Sequence, residues 1–214
     1  MFGSTSRRIE TNQGTSNHQC SSYNRRELVV LTAGEITRLI EADEVGWPGK
    51  LRGDGLLLCL GAPVQLLVAT APGATVDLAD QASINQLYQP PRKRWDSCEI
   101  PPGGMALCQV DQPLRLGPGQ AGAIGTLSHL ARVGLATHVT SPWVLPGWNG
   151  HLTLELLNVS PATLRIRCGM PVARLVLFNM DGPIAHAPAH PFYGGGGHLG
   201  SRYADEFPAH DYQG

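Results

Sequence analysis

Three side chains in one short stretch have the types and spacing for proton chemistry on an anionic small molecule. They are Ser128, Arg132 and Glu155, in S-H-L-A-R-V-G-L-A-T-H-V-T-S-P-W-V-L-P-G-W-N-G-H-L-T-L-E. Ser128 and Arg132 are four residues apart and so share a face of any helix that contains them. Free N–H groups at a helix start favour an anion, and an added hydroxyl and guanidinium make a phosphate or oxyanion site. Ser128 is accordingly expected to cap a short helix that Gly134 ends, although a plain cap and a surface arginine have the same spacing. In H-L-T-L-E-L-L-N, alternation puts Leu152, Leu154 and Leu156 on one face and His151, Thr153 and Glu155 on the other. Glu155 is then either solvated or, if it faces a cleft walled by Trp148 or Trp143, desolvated enough to shuttle protons near neutral pH. His138, in a further expected strand, is either a satisfied core histidine or a group that meets the ligand. The remaining histidines show no metal-ligand spacing, and no Cys-x-x-Cys pair signals a zinc ribbon.

The elements that must position these groups read mostly as strands. Thr32-Ala-Gly-Glu35 has the spacing of a capping box, and Ile36, Leu39 and Ile40 follow at helical intervals, which predicts one helix over 33–42. After it, apolar or alternating runs predict strands over 56–60, 64–70, 105–110, 122–125, 136–140, 151–158, 163–168 and 172–178. Pro101-Pro-Gly-Gly104, Gly117-Pro-Gly119 and Pro146-Gly147 punctuate them as turns. Many short strands with turns between them describe an all-β β-barrel or jelly-roll with one or two short helices. The expected organisation is a mobile tail over 1–27, one domain over 28–182, and a Gly- and Pro-rich tail over 183–214 that is a linker or a hinged lid.

Composition narrows the function classes. A formal net charge of −1 supplies no field for a nucleic-acid backbone, and the Pro91-Arg-Lys-Arg-Trp95 cluster is short, so no nucleic-acid partner is expected. The longest apolar runs fall far short of the roughly 20 residues of a membrane span, and the N-terminus has no apolar core of a signal peptide. Five widely spaced cysteines, mostly in apolar stretches, suggest reduced, buried thiols and a cytoplasmic setting. Charged residues are only 15% of the chain, which suits a subunit that buries surface against copies of itself.

The segment S-H-L-A-R-V-G-L … H-V-T … P-G-W-N-G … L-T-L-E-L-x-N resembles the signature region of the dCTP deaminase family, which reads approximately G-R-S-S-L-A-R-x-G-L … H-x-T-A … D-P-G-W-x-G … L-E. The resemblance extends through Glu99-Ile-Pro-Pro-Gly103-Gly-Met-Ala-Leu107 and more weakly through Leu31-Thr-Ala-Gly-Glu-Ile36 and Leu56 to Gly61, so it covers roughly residues 30 to 180. It implies the dUTPase-like fold, a homotrimer with sites between subunits, and hydrolytic deamination without catalytic zinc, with Mg2+ riding on the nucleotide phosphates. Glu155 matches the family's proton-handling glutamate, and Ser128 and Arg132 match its serine and arginine. Ser141 matches the small residue whose carbonyl orients water, and Thr153 a position whose main chain reads the base. Arg202 and Tyr203 match the basic and aromatic pair of a tail that closes over the triphosphate. Trp148 and His138 complete the substrate-binding expectation.

The expected reaction is dCTP + H2O giving dUTP + NH3. Zinc-dependent base deaminases need H-x-E with P-C-x-x-C, which this chain lacks, so the metal-free route is the deaminase route open to it. The chain departs from the family at Leu127 and His129, in place of an arginine and a serine, and at Leu145 and Leu57, in place of two acids. Each lost charged hydrogen bond weakens substrate binding by about 1.5–3 kcal/mol unless it is replaced. Leu145 speaks against dUTP hydrolysis, which needs a carboxylate there. The alternative class is a catalytically inactive nucleotide-binding or protein-interaction module on the same fold.

Overall fold

Alternate leucines build the sheet that carries the site. In this computed structural model the structure describes residues 29–68, 73–180, 182 and 199–208. Cys20, the tail over 1–27 and most of the tail over 183–214 lie outside them. The first half comprises α1 (Ala33–Glu41), β1 (Val45–Gly46), β2 (Leu56–Leu66), α2 (Gln81–Asn85), β3 (Ser97–Ile100), β4 (Met105–Val110), β5 (Leu114–Leu116) and β6 (Gln120–Thr126). Then come α3 (Ser128–Ala131), β7 (Leu135–Ala136), β8 (Trp143–Val144), β9 (Asn149–Gly150), β10 (Thr153–Asn158), β11 (Leu164–Arg167), β12 (Pro171–Asn179) and α4 (Tyr203–Glu206). Seven of the strands form one antiparallel sheet in the order β7-β10-β4-β2-β12-β6-β8, flanked by the smaller sheets β1-β5-β9 and β11-β3.

The large sheet curls around a single core. Leu56, Leu58 and Leu60 of β2, Leu154 and Leu156 of β10, and Leu175 and Leu177 of β12 are all buried in it. Fully burying such a side chain contributes about 1.5–3 kcal/mol. The period of two therefore fixes which residues on the same strands point away from the core. Thr126 at the end of β6 meets Thr137, just after β7, through a 2.8 Å hydroxyl–hydroxyl bond, and the Thr137 N–H donates to the Thr126 hydroxyl at 3.0 Å. These bonds draw the two ends of the sheet together. Asn158 is buried and polar, yet its amide donates to Ile100 O and Ala162 O and its carbonyl accepts from Ser160, so the C-terminal end of β10 is pinned to β3.

Helix α1 has the expected capping box: Thr32 accepts from the Glu35 N–H, and the Glu35 carboxylate accepts from the Thr32 N–H at 2.8 Å. The strands expected over 56–60 and 64–70 are instead one, β2, with a register shift between Leu60 and Val64. Gly61-Ala-Pro63 bends the strand without ending it, and residues 69–70 lie outside the described residues. The strand expected over 136–140 stops at Ala136. Beyond it the Thr137 N–H turns to Thr126 and the Val139 N–H to the Glu155 side chain, so these two donors are lost to the ladder. The turns and pairings also create β1, β5, β8 and β9, each too short to carry a periodic signal.

Candidate active site

Glu155 stands on β10, opposite Leu107 of β4, and its neighbours Leu154 and Leu156 are buried while it is half-exposed. Its Oε2 accepts the Val139 N–H at 2.8 Å, and its own N–H donates to Thr137 O at 3.3 Å. Among the described residues, Oε1 takes no hydrogen bond. The carboxylate is thus fixed by one oxygen and open at the other, the arrangement a proton shuttle needs. The 137–142 loop is held at both ends, since the Pro142 carbonyl accepts the Ile124 N–H at 2.8 Å. Ser141 lies between these two anchors, so the backbone at its carbonyl is constrained although its side chain is exposed. His138 shares the loop; its Nδ1 is buried and has no hydrogen-bond partner, so the ring is not the satisfied core histidine of the sequence reading.

Ser128 opens α3, but it does not cap it. The N-cap is Leu127, which makes no side-chain capping bond, and Ser128 is the first helical residue. Its hydroxyl takes part in no hydrogen bond among the described residues. Arg132 closes the single turn, donating its N–H to Ser128 O at 3.1 Å, so the two do lie on one side of α3 and both are exposed. Gly134 ends the turn at φ +85°, where a Cβ would also sit 2.8 Å from the Ser160 backbone nitrogen.

A groove of about 450 Å³ runs beside α3, lined by Thr126, Leu127, Ser128 and His129 on one side and by Arg174, Val176 and Phe178 of β12 on the other. Its floor comes from register: Arg174 lies opposite Gly125, Val176 opposite Ala123 and Phe178 opposite Ala121, so long side chains on β12 face small ones on β6. Arg52, from the loop before β2, also lines it. The sequence reading passed over Arg52 and Arg174. Their one signal was the out-facing position of Arg174 within the alternation of β12.

Glu155 does not line this groove in the single chain. Thr153, on β10, is paired with Gln109 and half-buried. Trp148 is packed against the core and donates its indole N–H to Gly150 O at 3.0 Å. Trp143 is 61% exposed and packs its ring against Phe178 at a centroid distance of 6.2 Å, at the groove and not as a wall for Glu155. Arg202 and Tyr203 are seated against α2: Gln81 donates to Ser201 O at 2.7 Å, the Ser201 N–H donates to Tyr88 Oη at 3.1 Å, and Arg202 pairs with Asp205 at 2.9 Å. The structure therefore does not bring that pair to Ser128 or Glu155 within one chain. Of the described cysteines, Cys98 and Cys108 are buried, as expected, Cys59 is half-buried, and Cys168 departs from the expectation of buried thiols in being exposed; all four are free. Burial first, and then the neighbouring Cys98, pushes the Cys108 thiol up to about 12, which leaves it inert near neutral pH.

A curled antiparallel sheet around one core, with a groove beside α3 and an anchored strand carboxylate outside that groove, defines a class of barrel-like all-β proteins. Among the described residues no helix is long and apolar enough to cross a membrane. The family model described as dCTP deaminase-like matches residues 30–180, and the chain belongs to that family. A dCTP deaminase, dUMP-forming, of Acidothermus cellulolyticus is 38% identical over 93 residues, 44% of this chain and 49% of that protein. The protein of the same name from Nocardioides sp. is 30% identical over 138 residues, 63% of this chain and 68% of that one. The chain spans about half the length of the first of these relatives. The solved 2'-deoxycytidine 5'-triphosphate deaminase from Agrobacterium tumefaciens superposes with a TM-score of 0.53 at 19% identity, covering 72% of this chain and 49% of that chain, a likeness of fold.

Proposed function

We propose that this chain deaminates a cytosine deoxynucleotide hydrolytically, taking dCTP and water to dUTP and ammonia. The observation that carries the reading is the Glu155 carboxylate, held through Oε2 by the Val139 N–H and open at Oε1. Glu155 takes a proton from water as the water oxygen bonds to C4 of the base, and delivers it to N3. The proton of the new C4 hydroxyl then passes through the same carboxyl to the exocyclic amine, the C4=O double bond forms as the C4–N bond breaks, and ammonia leaves. Ser128 and the Ser141 carbonyl orient the water, and Arg132 stabilises charge beside the base. Thr153, Trp148 and His138 contact the nucleotide, with the orphaned His138 Nδ1 available to it.

Ser128 lines the groove and Glu155 does not, which supports completion of the site between subunits of a homotrimer. Arg202 and Tyr203 then act on a neighbouring subunit's nucleotide. Mg2+ enters with the nucleotide phosphates, and no step is assigned to it. Free thiols at all four described cysteines support a cytoplasmic setting.

The relatives' names specify dUMP as product. In this chain Leu145 occupies the place of the acid before Pro-Gly-Trp and is 46% exposed, so no carboxylate stands there to activate a second water. The test is chromatography of nucleotide and ammonia from dCTP, dCMP and 5-substituted dCTP, with wild type and Glu155→Gln. The expected result is dUTP with equimolar ammonia, and a fall of about 10²–10⁴ in rate for the variant. Formation of dUMP and pyrophosphate would overturn the product assignment. No ammonia from any substrate would overturn the enzyme and leave a nucleotide-binding module on this fold.

A further inference from the structure

Among the described residues three arginines pair with a carboxylate: Arg115 with Asp43, Arg165 with Glu99 at 2.6 Å, and Arg202 with Asp205 at 2.9 Å. Arg52 and Arg174 line one groove, and neither has an ion pair or a side-chain hydrogen bond to a described residue. The nearest acid in sequence, Asp54, is committed elsewhere, accepting the Ala33 N–H at 2.8 Å. Two guanidiniums that share a concave surface without a counter-ion repel one another, and an anion between them relieves that repulsion.

The backbone is shaped to keep Arg174 in this place. Its stem lies over Gly55, where a Cβ would meet Arg174 Cγ at 2.6 Å and the Leu175 carbonyl oxygen at 2.7 Å. Its guanidinium lies 3.5 Å from the Cβ position of Gly53, a residue at φ +54°. The turn Gly53-Asp54-Gly55 therefore brings Arg52 alongside the Arg174 side chain and leaves room for it. The groove is also graded. Along β12 it passes from Arg174 through Val176 to Phe178, about 13 Å at strand rise, so one end is cationic and the other apolar. At the cationic end it is bordered by Leu127, Ser128 and His129.

We propose that Arg52 and Arg174 form an anion subsite for the phosphate chain of the nucleotide and supply, from the opposite wall of the groove, the positive charge that Leu127 does not. Guanidiniums suit this role because their N–H forks match phosphate oxygens two at a time. The assignment rests on the deaminase reading for the identity of the ligand, while the anion site itself stands on the groove.

The experiment separates the two. Inorganic tripolyphosphate is titrated calorimetrically into wild type, Arg52→Gln, Arg174→Gln, the double variant, and Arg165→Gln as a control of equal charge loss. Binding by wild type that weakens about tenfold in each groove variant and further in the double variant, with Arg165→Gln unchanged, is the expected result. No binding by wild type, or equal weakening by Arg165→Gln, overturns the proposal, since the effect is then absent or one of net charge. Thermal melts confirm folding, and Arg174→Lys, which keeps the charge, is expected to recover part of the affinity. In parallel, KM for dCTP is expected to rise in the groove variants with kcat little changed. Arginine-dependent tripolyphosphate binding with no ammonia release upholds the subsite and refutes the deaminase; ammonia release with kinetics indifferent to both arginines does the reverse.

Discussion

Glu155 and Ser128 reach the candidate site on supports of opposite kind. Glu155 stands on a six-residue strand paired on both sides, by β4 along most of its length and by β7 at its end, with buried leucines before and after it. Ser128 begins a single helical turn with no side-chain cap and no fully buried residue. A carboxylate that passes protons must hold its position relative to the reacting atom, and a rigid strand provides that. Groups that grip a ligand can sit on a less constrained segment, because binding itself orders them. The Thr126–Thr137 bonds join the two supports.

Core truncations test this contrast most strongly. Leu154→Ala, on the core face of the glutamate strand, is expected to lose about 2–5 kcal/mol, whereas Leu130→Ala on α3, only partly buried, should lose about 1 kcal/mol. Urea unfolding of both measures the difference, and equal losses would break the comparison. Next in size is the joint between the supports. Thr137→Val removes a buried hydroxyl bonded to Thr126 and is expected to cost about 1–3 kcal/mol, while Thr137→Ser, which keeps the hydroxyl, costs less. If valine and serine behave alike, the hydroxyl pair does not hold the sheet ends together.

The smallest effect lies away from both supports, at α1. The Thr32 N–H and hydroxyl bonded to the Glu35 carboxylate hold its pKa below the ordinary carboxylate value. A depressed folded-state pKa stabilises the protein above the unfolded pKa, and that contribution disappears as pH falls through the folded value. Stability should therefore drop slightly more steeply on acidification in wild type than in Glu35→Gln, with tripolyphosphate binding unaffected at neutral pH. Chemical denaturation across the acid range measures it; identical slopes would remove the capping box from the pH dependence.

Much of the strand side was legible in advance, because its signal is local. Alternation in H-L-T-L-E-L-L-N gave both the strand and the outward direction of Glu155, and the Thr32 to Glu35 spacing gave the start of α1. The errors arose where a side chain from elsewhere takes over a backbone donor. Residues 137–140 have the composition of a strand, but the Thr137 N–H goes to Thr126 and the Val139 N–H to Glu155, and no local pattern records that. Ser128 has the composition of a cap, yet the chain enters α3 one residue earlier, at Leu127.

The sequence by itself determined the family, the β character of the chain, the face on which Glu155 stands and the adjacency of Ser128 and Arg132, all matters of composition or spacing along a few residues. Only the tertiary structure decided that Arg52 and Arg174 share a groove, that Trp143 packs on Phe178, and that the single chain separates Ser128's groove from Glu155. Those relations depend on strand register and sheet curvature, which are set by burying the leucines of β2, β10 and β12 in a common core and not by the identity of the residues the curvature brings together.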